Sequence, residues 1–495
     1  MTQNSTTCSA ARKPAASAKW LVAPCLAACL CACGGGGNSS SSNPADNTPT
    51  NPEAPYTVDL RQGHLLSDTE LKTPPIASAS GLSAPTPDEQ AWLAENHRPI
   101  RSISFDGDFS DIEFLAQELE GKRIVQLGES SHGTAEFSAV KVRVIKYLHE
   151  QLAYNVIAFE SSIAGCHIQD QDLDLHPPKP RVGVECAFGV WNTDDLNELA
   201  RYIHSTRQTA TPLRLAGFDI QQSSTLDSND SLLGWISPVL DRIRPELTNP
   251  AREAIVNTDS DLRLLYICQK ANQPSCPAFD NLAAAHYQRL GEISAQLHAL
   301  VDATPLESPD REEVLFVWFA IDSLAGNLRL NRRSLDADWG YAAVRDALMA
   351  ENVTRLAELA YPNEKLIVWA HNAHISALPD SSNNPAMGSY LRARWGNELA
   401  SIGLFMLRGV TANNNRSAQA IKSPLPGSLE AYTYTLRVGA LYLRVPNVDA
   451  AGAGDNWLHR PIPSYYWGAT EQTDTMTRSY DGLIIIDRST MPHYN

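Results

Sequence analysis

Three stretches of this chain place ionisable side chains directly after a short apolar run. Arg123 to Leu127 reads as a strand, is followed by Gly128, and leads into Glu129, His132 and Glu136. Asn155 to Phe159 reads as a second strand and ends in Glu160. Leu366 to Ala370 reads as a third and runs into His371, Asn372, Ala373 and His374. A carboxylate beside a histidine holds the ring in one tautomer and raises its basicity. Such a histidine can take a proton from water as that water attacks a carbonyl carbon. Glu129, His132 and Glu136 stand at i, i+3 and i+7, which puts them on one face if a helix begins soon after Gly128. Glu160 would orient the same water or the histidine. Of the late pair, His371 lies nearer its strand end and is expected to act directly. One imidazolium there would stabilise an oxyanion or protonate a leaving alkoxide. The plainer alternative is an ion pair at the surface, or a histidine that satisfies a helix start.

Other chemistries fit less well. His and Glu can ligate zinc, but Glu129-x-x-His132 has neither zincin arrangement, so no metal and no cofactor are expected. Ser130 and Ser131 precede His132 without a Gly-x-Ser-x-Gly elbow and are expected to be helix caps. The formal charge of −16 argues against a nucleic-acid groove. A small-molecule partner suits the chemistry better.

The elements that must position these groups alternate between strand and helix. Glu136 to Leu152 has a helical apolar pattern, Asp194 to Ser205 is a further helix, and Leu213 to Phe218 is a strand leading to Asp219. From about 224 to 303 the pattern is mostly helical and reads as an insertion. Glu312 to Leu330, Trp339 to Leu359 and Gly388 to Trp395 follow as helices. Leu404 to Met406, Thr433 to Leu436, Ala440 to Val445 and Gly482 to Ile486 are strand-like. The predicted class is α/β: a central, mostly parallel or mixed sheet flanked by helices, with the helical insertion forming a cleft. In such sheets chemistry gathers at the C-terminal strand ends.

The amino end reads as an address. Arg12, Lys13 and Lys19 precede a short apolar run, Leu21 to Leu30, too brief to span a bilayer. Leu26-Ala27-Ala28-Cys29 and Leu30-Cys31-Ala32-Cys33 both resemble a bacterial lipoprotein box, with Cys33 preferred as the lipidated residue. Residues 1–33 are thus expected to be a lipoprotein-type leader and 34–55 a flexible Gly/Ser/Asn/Pro tether. Residues 56–495 would form the folded unit, exported and lipid-anchored to the cell envelope. Beyond the leader lie Cys166, Cys186, Cys268 and Cys276. An exported chain can oxidise them, but spacing fixes no pairing.

Taken together, the blocks resemble the erythromycin esterase family. They are Arg123 to Glu136 with its Gly128-Glu129-Ser130-Ser131-His132-Gly133 core, Ala158-Phe159-Glu160, Gly217-Phe218-Asp219 and Arg345-Asp346-x-x-Met349-x-x-Asn352. Val368 to His374 and Met387 to Leu391 complete the series. The resemblance runs from about residue 90 to 490. It implies hydrolysis of a carboxylic ester or macrolide lactone by directly activated water, with no acyl-enzyme and no metal. It maps the family's catalytic histidine onto His132. The adjoining glutamate falls on Glu129, the strand-end glutamate on Glu160 and the late pair on His371 and His374. Glu136, Arg345, Asp219 and Trp191 are the expected supporting or substrate-binding residues. Phe188, Trp318 and the Tyr465-Tyr466-Trp467 run are further aromatic candidates for a bulky apolar substrate. Arg329, Arg332 and Arg333 are candidates for binding an anion. An envelope location favours an ester other than a macrolide. A non-catalytic envelope binding protein on the same fold fits the leader equally well, and hydrolysis or transfer on another bond type, such as an amide or a phosphate ester, is a third option.

Overall fold

The apolar runs form the centre of one sheet. In the computed structural model the described residues are 85–222, 224–271, 276–334, 340–378, 385–446 and 456–495. The leader, Cys29, Cys33 and the tether lie outside them, as do the side chains of Arg329, Arg332 and Arg333. The strands are β1 (His97–Pro99), β2 (Ile124–Leu127), β3 (Tyr154–Ser162), β4 (Arg214–Asp219), β5 (Lys365–Trp369) and β6 (Leu399–Ala412). There follow β7 (Ala418–Ala420), β8 (Ala440–Arg444), β9 (Ile462–Tyr466), β10 (Thr470–Asp474) and β11 (Gly482–Ser489). The main sheet has the order β1-β8-β11-β6-β2-β5-β3-β4, with β7 added to β6. From β11 to β4 all neighbours are parallel; β8 pairs antiparallel to β11 and β1 antiparallel to β8. β9 and β10 form a separate hairpin.

Strands β2, β5 and β3 read as largely apolar runs because both of their faces are covered. On one face Val125, Leu127, Ile157, Phe159, Ile367 and Trp369 meet Phe137, Val140, Val144, Leu199 and Ile203 of the Ala135–Leu152 and Asp194–Thr206 helices. On the other, Ile124, Val156, Ala158, Leu366 and Val368 join a core with Phe316, Phe319, Met349 and Val353. That core belongs to the helical layer inserted between β4 and β5. Its described helices are Asn229–Ile243, Thr248–Lys270, Pro277–Ala303, Asp310–Ser334 and Gly340–Arg355. Chain order creates the site: β2 sends its chain across β5 to β3, and β5 sends its chain back across β2 to β6. Adjacent strands with opposite exits leave a crevice at their C-terminal ends.

One strand expectation fails. Thr433 to Leu436 is not a strand; Leu429–Tyr434 is a helix, and Ser428 caps it by accepting from the Ala431 N–H at 3.0 Å. The β-branched and aromatic composition favours a strand, but the cap and the burial of Leu429, Ala431 and Tyr434 decide for helix. Both disulfides are present, Cys166–Cys186 and Cys268–Cys276.

Candidate active site

The segment after β2 is not helical, so Glu129, His132 and Glu136 do not share a helix face. The Gly128 and Ser130 N–H groups donate to Ile402 and Leu404 carbonyls of β6, which carries the extended backbone past the strand end. A Cβ at Gly128 would collide with Asn372 Oδ1 and Ile375 Cδ1, so this turn needs glycine. The helix starts only at Ala135. Its first-turn residue Glu136 accepts from Thr490 N at 2.8 Å and Thr490 Oγ1 at 2.7 Å, tying the helix to the segment after β11. Nor do the serines cap it: Thr134 is the N-cap residue, and Ser131 Oγ lies 2.7 Å from Thr411 Oγ1.

Glu129 is fully buried and three donors converge on it. His132 Nδ1 and Trp191 Nε1 lie 2.7 and 2.8 Å from Oε1, and Lys141 Nζ lies 2.7 Å from Oε2. An ionised carboxylate at Nδ1 assigns the proton there and leaves the lone pair on Nε2. His132 Nε2 has no hydrogen-bond partner among the described residues, and the side chain retains 11% exposure. Lys141 is buried with its ammonium 3.7 Å above the Trp369 ring centroid. Burial pulls its pKa down to about 8 against the opposing attraction of Glu129.

A second network sits beside this one. Glu160 Oε1 accepts from Arg345 Nη2 at 2.7 Å and lies 3.3 Å from His374 Nε2; Oε2 accepts the His371 N–H at 3.0 Å. Arg345 also grips Asp219, with Nε 3.1 Å from Oδ1 and Nη2 2.5 Å from Oδ2. His374 Nδ1 lies 2.6 Å from Asp346 Oδ1. Burial opposes a charge on His374, but Asp346 and Glu160 outweigh it and raise its pKa to about 10. The 3.0 Å approach of Arg345 Nη1 to His374 Nε2 is then a contact between two cations, held together by Glu160 between them. Glu160 itself is held well below the usual carboxylate range: burial works against it, and His374 and Arg345 prevail.

His371 carries the opposite charge state to its neighbour. Burial, reinforced by His132 and His374, pushes its pKa well below the ordinary value, against Glu160 and the Ser130 carbonyl. Its Nδ1 accepts from the Ala373 N–H at 3.1 Å, so the proton of the neutral ring is on Nε2. That atom is buried and makes no hydrogen bond of normal geometry, although the Ser130 carbonyl is near enough to favour its proton. The ring stacks on Trp467 at 4.8 Å, and the His132 ring centroid is 5.1 Å away. Of the late pair, His371 is thus the neutral N–H donor and His374 the one imidazolium.

The fold thus gathers Glu129, His132, Glu160, His371 and His374, together with Asp219, Arg345 and Trp191. Of the aromatic candidates, Tyr466 and Trp467 flank His371, and Phe188 packs on Trp191 with centroids 5.9 Å apart. Trp318 is spent in the helical layer, donating to Ser294 Oγ at 3.1 Å and stacking on His298. Sequence reasoning missed Lys141 and the role of Asp346. The available signal for Lys141 was a cation set directly between two valines, Val140 and Val142. Asn372 was left without a role; its amide bridges Leu404 N and O at 3.1 and 2.9 Å and locks the β5 end to β6. A surface cavity of about 610 Å³, lined by Phe105, Val142, Asp195 and Arg201 among others, shares no residue with the cluster.

Comparison with known proteins identifies the family and the fold. A family model described as erythromycin esterase matches residues 149–489, taking in Glu160, Asp219, Arg345, His371 and His374 and beginning just after the His132 segment. The putative hydrolase YbfO of Bacillus subtilis is 28% identical over 411 residues, covering 81% of this chain and 90% of the relative. Erythromycin esterase type I of Escherichia coli is 25% identical over 311 residues, covering 58% of this chain and 71% of that protein. Among solved structures, a Bacillus cereus protein superposes with a TM-score of 0.69 at 18% identity, covering 83% and 99% of the two chains. A mutant of erythromycin esterase EreC in its open conformation gives a TM-score of 0.60 at 19% identity, covering 80% and 98%. The structural likenesses establish the same α/β fold.

Proposed function

The chain belongs to the erythromycin esterase family, and on that premise we propose that it hydrolyses carboxylic esters or lactones with water activated directly by His132. The observation that carries this reading is the Glu129–His132 pair: a buried carboxylate at Nδ1, an unpartnered Nε2 and residual exposure on the ring. His132 Nε2 takes one proton from water as its oxygen bonds to the carbonyl carbon. The imidazolium that forms lies against Glu129. Collapse of the tetrahedral adduct expels the alkoxide, which takes the proton back from Nε2, so the histidine ends neutral. The neutral His371 offers its Nε2–H to the oxyanion. Glu160 takes no proton: it fixes the His371 backbone and the Arg345–His374 pair.

The donor set supports chemistry without a metal. Both oxygens of Glu129 and both of Glu160 already face N–H groups, and both nitrogens of His374 face side-chain partners. A metal ion would have to displace several charge-assisted bonds to bind there. The leader-like sequence, which would be lipidated at Cys33 or Cys29, and the two disulfides together support a location outside the cytoplasm. There the substrate is an ester of the envelope or its surroundings rather than a macrolide by default.

The test is incubation of purified protein with a macrolide lactone and a panel of small and envelope-type esters, with and without chelator. Gain of one water in mass, lost in His132→Ala and unaffected by chelator, is the expected result. No hydrolysis of any ester, or ligand binding indifferent to His132→Ala without turnover, would favour a binding protein instead.

A further inference from the structure

Trp191 grips Glu129 from a stretch of chain with almost no regular structure. Between the helices Ile163–Leu175 and Asp194–Thr206 the only element is the single 3-10 turn Gly189–Trp191. Yet the indole is 1% exposed, its Nε1 is 2.8 Å from Glu129 Oε1, and its ring meets His132 edge-on at 5.0 Å. An irregular segment holds such a position only if it is tied down.

Its upstream ties converge on one place. Cys186 is disulfide-bonded to Cys166, and its N–H donates to Gln169 Oε1 at 2.8 Å. Gln169 Nε2 donates to the Gly183 carbonyl at 3.3 Å, and the Phe188 N–H donates to Ser161 Oγ at 3.1 Å. Ser161 lies on β3 beside Glu160, and Cys166 and Gln169 lie on the helix that directly follows. The covalent tie is five residues from Trp191, and both of its cysteines are fully buried. Cys268–Cys276, by contrast, joins two helices of the insertion layer and none of the ties just described.

We propose that the Cys166–Cys186 disulfide is a positioning element of the active site, fixing the segment that holds Trp191 on Glu129 and thereby the Nδ1–H tautomer of His132. The proposal rests on the reading of His132 as the base. Without the bond, the segment keeps its hydrogen bonds but gains the freedom to carry Trp191 off the carboxylate. Glu129 then loses one of the two donors on Oε1, and the imidazole loses the edge contact that limits its rotation. The chemical step suffers rather than substrate binding, because the displaced groups act on the attacking water.

The experiment compares Cys166→Ala/Cys186→Ala with Cys268→Ala/Cys276→Ala in the full chain, at a temperature where near-ultraviolet circular dichroism shows both folded. On an ester that the native enzyme hydrolyses, the first pair is expected to lower kcat at least ~10-fold with KM within about 2-fold. The second pair leaves both unchanged. Trp191→Phe reproduces the kcat loss, and combining it with the first pair adds little. Should the first pair fail to fold, Gln169→Ala loosens the same segment with the disulfide intact and gives a smaller loss in the same direction. Histidine-selective 15N NMR reads the His132 tautomer without substrate: one Nδ1–H form in the native chain, exchange between tautomers in the first pair. A native kcat and a single tautomer in the first pair, or equal effects of the two disulfides, would overturn the proposal. A native enzyme that hydrolyses no ester defeats the functional reading instead, while the tautomer measurement still judges this one.

Discussion

Glu129→Gln tests the centre of the mechanism because glutamine keeps the shape and exchanges one acceptor for a donor. Three donors converge on the side chain: His132 Nδ1, Trp191 Nε1 and Lys141 Nζ. If the amide oxygen faces Lys141, the NH2 faces His132 and Trp191. The imidazole must then turn its lone pair to Nδ1, leaving Nε2 protonated and unable to take a proton from water. Inverting a catalytic histidine's tautomer in this way costs ~10⁴-fold in the serine-protease triad. If the oxygen instead faces His132, the tautomer survives but the carboxylate charge is gone. At the 2.7 Å separation, a unit charge attracts the forming imidazolium by about 6 kcal/mol at an effective dielectric of ~20, again about 10⁴-fold in rate. The amide would also force Lys141, already near a pKa of 8, to give up its proton. Both orientations predict the same outcome: kcat/KM down by at least ~10³, read by pH-stat or mass spectrometry on any ester that the native enzyme cleaves. Loss of less than about tenfold in a protein with native circular dichroism would refute the role of Glu129 and weaken that of His132.

Three further outcomes follow from the same geometry. His374→Gln should change how stability responds to pH. With its folded pKa raised to about 10 from 6.5, His374 contributes stability that is fully present below pH 6.5 and lost between there and pH 10. Urea unfolding of the native and variant chains should therefore differ by a few kcal/mol (order of magnitude) at pH 6 and converge towards pH 10; a constant difference would count against the charge on His374. Lys141→Met leaves the buried Glu129 carboxylate without its cation and is expected to cost ~3–5 kcal/mol, seen as a lower urea midpoint. An unchanged midpoint would show that this ion pair adds nothing to the fold. Gly128→Ala drives a methyl into Asn372 Oδ1 and Ile375, so it should destabilise by ~1–3 kcal/mol and reduce activity through the β2–β5 junction; native melting and turnover would disprove the close approach.

The strand ends were legible because parallel strands buried on both faces leave continuous apolar runs, and chain order places their C-terminal ends together. That is why Glu129, Glu160 and His371 could be marked before any contact was known. The backbone between Glu129 and His132 was not legible. Its i, i+3 spacing suggests a helix, but pairing of Gly128 and Ser130 to β6 keeps it extended, and β6 is over 270 residues away in sequence. Lys141 was hidden for a related reason: a lysine in an amphipathic helix normally reaches solvent, and only the neighbouring β2 end explains one that turns inward. The protonation order of the late histidines was equally out of reach. His371 and His374 are three apart with the same local composition, and they differ in partners distant in sequence: Asp346, from a helix of the insertion layer, and Glu160 reach the His374 ring, whereas His371 packs on Trp467 beside His132. The disulfide pairing likewise depends on the path of the irregular segment before Trp191.

The charge count of the assembled site supports the proposed role of a neutral histidine as the base. Four carboxylates, Glu129, Glu160, Asp219 and Asp346, face three cations, Lys141, Arg345 and protonated His374, which leaves one negative charge in excess. When His132 takes a proton from water, the cluster becomes neutral, so the protein complements the charge that develops on the base rather than the resting state. His371 has to stay neutral for the same reason. A second imidazolium 5.1 Å from His132 would oppose the first, and burial against Trp467 keeps that from happening. The oxyanion is then met by an N–H dipole that costs no proton. The same balance bears on the substrate. Arg345 is saturated by Glu160 and Asp219, and Lys141 by Glu129, so a carboxylate or phosphate beside the scissile bond would meet a surplus of negative charge. If the proposed hydrolysis holds, neutral or cationic esters are expected to be cleaved in preference to anionic ones, because the same acids that hold the two histidines in opposite charge states repel an anion.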